Sequence, residues 1–163
     1  MTTALYPASF DPITFGHIDI AERASQLFSQ VKVAVFDKPR KSLTFSPEER
    51  IQLTTSALDH LANVEVIGYS GLTVQFARQI GAQVIIRGLR AISDFEVEMQ
   101  YSLANQSLAP EIDTVCLMNS QKFSFISSSI VKEIALNGGD VSHLVPAHVV
   151  EALQHKLQHR SES

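Results

Sequence analysis

One loop of the sequence combines two prolines, a glycine and a histidine just before a predicted helix. It runs from Pro7 to His17 and reads PASFDPITFGH. Gly16 has no Cβ, so a ligand can approach the backbone closely there. His17 falls at the helix start, where backbone N–H groups and the helix dipole favour an anion. A histidine at that point can donate a hydrogen bond to a phosphate. The alternative is a turn with an incidental histidine, because one loop motif is weak evidence.

Two arginines, Arg87 and Arg90, follow a buried apolar run and flank a glycine. The planar guanidinium group matches the geometry of phosphate oxygens. The alternative is that both arginines form surface ion pairs with acids such as Asp94 or Glu96. We favour phosphate binding, because both arginines fall at a predicted strand end, where ligands collect in parallel sheets.

Two further segments carry groups that suit an anion. Lys38-Pro39-Arg40-Lys41 follows another predicted strand. Such a charge run is often only solvated surface, but its position makes Lys41 a candidate phosphate contact. The stretch from Phe123 to Ser129 enters a helix with three consecutive serines, which supply hydroxyl groups and unpaired helix N–H groups. One serine suffices as a cap, so three indicate an anion nest, with capping plus a polar turn as the alternative.

Short apolar runs alternate with amphipathic stretches along the whole chain. Strands are predicted at 4–6, 31–36, 64–69, 84–86 and 114–118, and helices at 17–29, 47–60, 73–80, 93–108, 128–137 and 146–159. Ser46 and Ser93 each precede a glutamate by three residues, which predicts two capping boxes. The repeated strand–helix–strand order predicts an α/β, doubly wound, mostly parallel five-stranded sheet with helices on both faces. The polar segments above then meet at the carboxyl ends of the strands.

Composition limits the class of protein. The 163 residues, 45% hydrophobic and 18% charged, predict one globular domain over 1–163, with a flexible tail at 159–163. A net charge of −4 disfavours nucleic acid as a partner. Neither a signal-peptide pattern nor an apolar run near the roughly 20 residues of a membrane helix is present. We therefore expect no membrane partner and a cytoplasmic location. Cys116 is the only cysteine, and its apolar surroundings predict a buried structural thiol.

Together these segments resemble the nucleotidylyltransferase superfamily and, within it, the phosphopantetheine adenylyltransferase family. Thr14-x-Gly16-His17 is similar to the superfamily's His-x-Gly-His signature, with threonine in the first position. Residues 126–129 are similar to its second signature. Residues 87–90, followed by Glu98-Met99-Gln100, carry the more specific resemblance, and the similarity spans nearly the whole chain.

The sequence also departs from that family at four positions. Ala8 stands where glycine is usual, and Ser9 replaces the threonine of some members but keeps the hydroxyl group. Phe15 and Phe123 stand where asparagine and a larger aromatic residue are common. None of these changes removes a charged group from the site.

The resemblance implies a Rossmann-like nucleotidylyltransferase fold and a reaction. The reaction is reversible transfer of an adenylyl group from ATP to 4′-phosphopantetheine, giving dephospho-coenzyme A and pyrophosphate in coenzyme A biosynthesis. It also implies a homohexamer, coenzyme A as a feedback ligand, and magnesium that arrives with ATP, with no residue assigned as a metal ligand. His17, Lys41 and Arg90 would be catalytic, and Ser9, Lys41, Thr73 and Arg87 would bind phosphopantetheine. ATP would contact Ser9, Phe10, His17, Gly88, Leu89, Arg90, Glu98, Phe123, Ser124, Phe125, Ile126, Ser127, Ser128 and Ser129.

Two other functions stay open at this point. The chain could be a nucleotidylyltransferase that acts on nicotinamide mononucleotide or on a sugar or polyol phosphate, although residues 87–90 and the short chain argue against it. It could also be a nucleotide-binding sensor without catalysis, since binding alone needs the same phosphate contacts. Turnover distinguishes the sensor from the enzyme.

Overall fold

A single parallel sheet organises the chain in the computed structural model, which describes residues 2–39 and 42–161. The strand order is β3-β2-β1-β4-β5, and every pair of neighbours is parallel. The strands are β1 (Thr3–Ala8), β2 (Gln30–Phe36), β3 (Val64–Tyr69), β4 (Val84–Leu89) and β5 (Asp113–Met118). The helices are α1 (Phe15–Leu27), α2 (Pro47–Leu58), α3 (Thr73–Gln79), α4 (Ile92–Leu108), α5 (Ser128–Leu136) and α6 (Ala147–Ser161).

Both faces of this sheet are apolar and covered. On β2, Val31, Val33 and Val35 belong to one buried cluster and Ala34 to another. Because successive side chains of a strand point to opposite faces, these clusters lie on the two sides of the sheet. The larger cluster includes side chains of α1, α2, α5 and α6, and the smaller includes side chains of α3. The predicted doubly wound α/β fold is therefore confirmed.

The order of the strands creates a switch point next to β1. The chain builds outward from β1 through β2 to β3, then crosses back to place β4 on the other side of β1. Connections leaving β1 and β4 therefore diverge, and a crevice opens outside the carboxyl ends of those two strands. The loops after β1 and β4 are the ones singled out by their histidine and arginines.

The start of α4 differs from the sequence prediction. The expected capping box at Ser93 is wrong, because the helix begins at Ile92 with Ala91 at its N-cap and no side-chain cap. The Asp94 carboxylate instead accepts the backbone N–H of Arg90. The capping box at Ser46 is confirmed, since its hydroxyl accepts from the Glu49 N–H while the Glu49 carboxylate accepts from the Ser46 N–H.

Three smaller expectations also need correction. Strand β4 extends to Leu89, so Arg87 and Gly88 lie within the strand rather than after it. Helix α6 continues through Ser161, so 159–161, expected to be tail, are helical. Cys116 is exposed rather than buried, because its side chain lies on the face of β5 opposite to that of the buried Leu117. Within the described part of the chain, we find no helix long and apolar enough to cross a bilayer.

Candidate active site

Two cavities open at the switch point and share a wall. The first, which we call the switch-point cleft, has a volume of about 320 Å³. The second, which we call the side cavity, has a volume of about 510 Å³. The wall consists of the end of β1, Arg87 of β4 and Glu98 of α4, all of which line both cavities. Predicted site residues in the cleft are Ser9, His17, Arg87, Gly88, Arg90, Glu98, Ile126, Ser127, Ser128 and Ser129.

The histidine of the cleft is oriented by the first turn of α1. Thr14 is the N-cap, and its backbone N–H donates to Nδ1 of His17 at 3.1 Å. The Thr14 hydroxyl group lies 3.0 Å from the same nitrogen. Because Nδ1 accepts a hydrogen bond, the proton of the neutral ring is on Nε2. The capping box therefore fixes a histidine tautomer whose Nε2–H is a hydrogen-bond donor, which is the form that the predicted phosphate contact needs.

Two glycines let the backbone of the cleft close around Asn119, which follows β5. The Asn119 side-chain amide donates to the Gly16 carbonyl at 2.9 Å. A Cβ on Gly16 would lie 3.3 Å from Nδ2 of Asn119, and a Cβ on Gly88 would lie 3.4 Å from its Oδ1. A side chain at Gly16 would therefore press on this amide, whereas one at Gly88 would press mainly on Ile20 of α1, whose Cγ1 would lie 3.2 Å from the Cβ. Sequence reasoning missed Asn119, although its position just after a strand was a usable signal.

Arg87 stands on the shared wall in a fixed orientation. Its Nε and Nη2 donate to the two carboxylate oxygens of Glu98 at 2.6 and 2.7 Å, and its Nη1 donates to the Pro7 carbonyl at 3.1 Å. A bidentate pair of this kind holds the guanidinium plane as well as its position. Arg87 is therefore ion-paired, as the alternative expected, and it faces both cavities, while its contact with phosphate stays a prediction.

Arg90 is held in the same manner by Asp94, which lies in the first turn of α4, before Glu98. The Arg90 side chain donates to the Asp94 carboxylate through Nε at 3.1 Å and Nη2 at 3.3 Å. Partial burial raises the pKa of Asp94, but the backbone N–H and guanidinium of Arg90 outweigh it, so that pKa lies below its ordinary value. The carboxylate thus stays ionised at neutral pH and keeps the guanidinium at the cleft.

Two of the three serines at the start of α5 form hydrogen bonds, each with a different partner. Ser127 is the N-cap, and its hydroxyl accepts from the Ile130 N–H at 3.2 Å. The Ser128 hydroxyl donates to the Pro12 carbonyl at 2.8 Å and ties α5 to the β1–α1 loop. All three line the cleft, so this helix start presents its unpaired N–H groups there. Capping therefore accounts for one of the three serines, as the alternative of capping plus a polar turn predicted.

A buried carboxylate, also missed from the sequence, connects three segments around the cleft. Asp11 is fully buried and accepts the backbone N–H groups of Thr44 and Phe45 at 2.9 to 3.1 Å. The ammonium group of Lys132 on α5 donates to the same carboxylate at 2.6 Å. Asp11 therefore holds the β1–α1 loop, the segment before α2 and helix α5 in one arrangement. Such long-range partners leave no local signal in the sequence.

Some predicted site residues lie elsewhere. Phe10 is buried, and its ring packs against the ring of His17 in an edge arrangement with 5.1 Å between the centroids. Phe123 packs on Phe15 at 6.1 Å and faces a different groove, between α1 and α2. Thr73 lines the side cavity and bonds the Tyr69 hydroxyl at 3.1 Å. Leu89, Ser124 and Phe125 line neither cavity. Lys41 lies outside the described residues.

Comparison with known proteins first defines the class. A cytidylyltransferase-like family model matches residues 5–134, which include both signature segments. A solved structure from Vibrio parahaemolyticus, assigned as a nicotinate-nucleotide adenylyltransferase, superposes with a TM-score of 0.71. It covers 94% of this chain and 99% of that one at 19% sequence identity, a similarity that concerns the fold alone. Fold and family model together make the chain a nucleotidylyltransferase.

Curated relatives then narrow the class to one family. A phosphopantetheine adenylyltransferase of Roseiflexus sp. (strain RS-1) is 56% identical over 154 residues, covering 94% of this chain and 96% of that protein. Another, from Herpetosiphon aurantiacus, is 53% identical over 163 residues, covering 100% of this chain and 99% of that protein. The chain belongs to the phosphopantetheine adenylyltransferase family.

Proposed function

We propose that this chain transfers the adenylyl group of ATP to 4′-phosphopantetheine, reversibly, as the step of coenzyme A biosynthesis that yields dephospho-coenzyme A and pyrophosphate. The observation that carries the proposal is the pair of cavities with one wall in common. The switch-point cleft offers donors for a triphosphate, and the side cavity offers room for an elongated acceptor beside it. Two phosphates that approach the wall from its two sides can meet there.

The chemistry needs little from the protein beyond orientation and charge stabilisation. The acceptor is a phosphate monoester, already largely dianionic at neutral pH because its second pKa is about 6. It attacks the α-phosphorus in line, a new P–O bond forms, and the bond to the leaving pyrophosphate breaks. No general base is required, so catalysis rests on positioning and on donors aimed at the developing charge. Magnesium enters as part of the ATP substrate and needs few protein ligands.

The residues of the cleft divide this work. The Nε2–H of His17 donates to the α-phosphoryl oxygens, where negative charge develops. Arg90 and the N–H groups of Ser128 and Ser129 stabilise the leaving pyrophosphate. Support for these roles comes from the Nδ1 contact that sets the histidine tautomer and from the α5 start that lines the cleft. Gly88 lines the cleft and contacts the nucleotide through its backbone.

The wall and the side cavity divide the acceptor's contacts. Arg87 and Lys41 orient the incoming phosphate, and Thr73 contacts the pantetheine arm. Ser9, on the wall, contacts both substrates. Aromatic side chains of the side cavity, including Tyr69 and Tyr101, suit an arm that alternates methylene and amide groups. The remaining proposed ATP contacts are Phe10, Leu89, Glu98 and the stretch from Phe123 to Ser127.

Replacing Arg90 with alanine should lower kcat for pyrophosphate release by more than about tenfold, because the leaving group loses a charged donor. Asp94 would be left without its guanidinium partner. Asp94→Asn is the matched control, since it weakens the ion pair but keeps the arginine. Steady-state kinetics with both substrates varied is the measurement. A higher KM for ATP with unchanged kcat would instead assign Arg90 to uniform ATP binding.

We also propose that the chain forms a homohexamer in the cytoplasm and that coenzyme A acts on it as a feedback ligand. Support for self-association comes from α4, because none of its 17 residues, all of them described, is buried. Its exposed apolar side chains include Phe95, Val97, Met99, Tyr101 and Leu103. Several large exposed apolar side chains on one helix usually mark an interface. Sedimentation equilibrium should give six times the 18.0 kDa chain mass, and a monomer would contradict the proposal.

The acceptor is tested directly by pyrophosphate release with ATP and magnesium. Release with 4′-phosphopantetheine and none with nicotinamide mononucleotide supports the proposed function. Release only with nicotinamide mononucleotide overturns it in favour of another adenylyltransferase. ATP binding by calorimetry without release from either acceptor favours a nucleotide sensor.

A further inference from the structure

The largest fully buried side chain of the described residues is that of an arginine, Arg50 of α2. It lines neither cavity. Of its five N–H groups, four have acceptors, and each acceptor is a backbone carbonyl. No carboxylate of the described residues forms an ion pair with it within 4.0 Å. Burying a guanidinium costs desolvation free energy, which these four charge-assisted hydrogen bonds offset only while all four carbonyls are held in place.

Three of the four carbonyls, those of Ser9, Phe36 and Asp37, lie where β1 and β2 end, and the fourth, that of Phe45, lies just before α2. Nη1 donates to Ser9 at 2.8 Å and to Phe36 at 2.7 Å. Nη2 donates to Asp37 at 2.9 Å, and Nε donates to Phe45 at 3.3 Å. The two strands pair in register as far as Ala8 opposite Val35, so the carbonyls of Ser9, Phe36 and Asp37 come just after the last paired residues. The planar guanidinium thus extends the connection between the two strands beyond the end of the sheet.

The segment that Arg50 holds is the part of the wall formed by the end of β1. Pro7, Ala8 and Ser9 line both cavities. Arg87 donates to the carbonyl at the start of this segment, and Arg50 to the carbonyl at its end. Two arginines from opposite sides therefore fix three consecutive residues.

The residue after the wall adds a second reason for a clamp. Phe10 has φ = 46°, a left-handed conformation that costs a non-glycine residue about 1–2 kcal/mol. Its buried ring contacts Tyr6 and His17, at centroid distances of 5.5 and 5.1 Å. A strained turn persists only where its surroundings over-determine it. The bond from Arg50 to the Ser9 carbonyl acts on the peptide that leads into this turn.

We propose that Arg50 is a positioning residue for adenylyl transfer, because it holds the wall on which the two substrates meet and the turn that leads from Ser9 to His17. The inference rests on the proposed function. Arg50 touches neither substrate and acts through Ser9 and Phe10. Its positive charge, which no described carboxylate pairs, also lies behind a wall that two anionic groups approach.

Arg50→Lys is the test variant, since lysine keeps the charge but offers three donors from one atom, which cannot span four carbonyls. We expect kcat to fall at least about tenfold, because small misplacements of reacting groups cost up to about 10²-fold. KM for ATP should stay within about threefold, since the altered interaction matters in the transition state. Leu153→Ala, a buried change in α6 away from both cavities, is the control for lost stability. It should lower the melting temperature and leave kcat at the parental value.

The outcomes separate the two proposals. Parental kcat in Arg50→Lys overturns the positioning role, as does a kcat loss no larger than that of Leu153→Ala at equal melting temperature. If the lysine variant does not fold, Arg50→Gln, which keeps an amide donor, is measured with the same criteria. If the parental chain releases no pyrophosphate with 4′-phosphopantetheine, the proposed function fails and the role of Arg50 fails with it. If the parental chain is active, the kcat values of the Arg50 variants decide whether Arg50 is a positioning residue.

Discussion

A His17→Ala variant should turn over roughly 10²- to 10³-fold more slowly than the parental chain, the loss typical for one donor to a developing oxyanion. The reason is geometric. Thr14 donates to Nδ1 at 3.1 Å, which leaves the proton of the neutral ring on Nε2, on the atom proposed to meet the α-phosphoryl oxygens. Alanine removes that donor. The measurement is kcat for pyrophosphate release at saturating ATP and 4′-phosphopantetheine.

His17→Asn separates chemistry from helix capping. The asparagine oxygen takes the place of Nδ1 and can accept the Thr14 N–H, so the capping box survives while the Nε2 donor is lost. We expect its melting temperature to stay near the parental value and its kcat to fall about as far as that of His17→Ala. Nearly parental turnover in either variant would remove His17 from its proposed role.

Asp11→Ala should destabilise the fold by roughly 3 to 5 kcal/mol, because removing one partner of a buried ion pair leaves the other uncompensated. The carboxylate is fully buried and accepts from two backbone N–H groups as well as from Lys132. All of these donors lose their acceptor at once. The free energy of unfolding from urea denaturation is the quantity to compare.

Glu111→Ala is the matched control for Asp11, since it also removes a carboxylate from an ion pair. Its partner Arg78 is on the surface, and exposed pairs contribute little to stability. We expect a far smaller change in this variant. Equal effects from the buried and the exposed pair would contradict the connecting role of Asp11.

Much of the site could be predicted because parallel sheets bring strand ends together. Ser9, His17, Arg87 and the serines of α5 are separated by up to 120 positions in the chain, yet each follows or ends a predicted strand or starts a helix. The alternation of apolar runs predicted the five strands, and the strand-end rule then predicted where ligand groups meet. That inference needed no contact between side chains.

The features that could not be predicted depend on contacts that form only in the folded chain. Ser93 has the spacing of a capping box with Glu96, but the helix begins at Ile92, and the Asp94 carboxylate accepts from the Arg90 N–H and guanidinium. Cys116 sits in an apolar run, but its side chain lies on the opposite face of β5 from the buried Leu117 and is exposed. Arg50 reads as an ordinary helix-face charge until the ends of β1 and β2 are seen around it.

The wall shared by the two cavities, which includes Pro7, Ala8 and Ser9, has a consequence for ligands larger than either substrate. A molecule that fills both cavities through one covalent link loses its translational and rotational freedom only once. After its first half binds, the second half meets its own cavity at an effective concentration on the order of millimolar. Dephospho-coenzyme A and coenzyme A have this form, with a nucleotide joined to a pantetheine arm. Under the proposed function, in which the two cavities hold these two parts, the shared wall gives such ligands avidity that neither half possesses alone, and product release is a two-point dissociation.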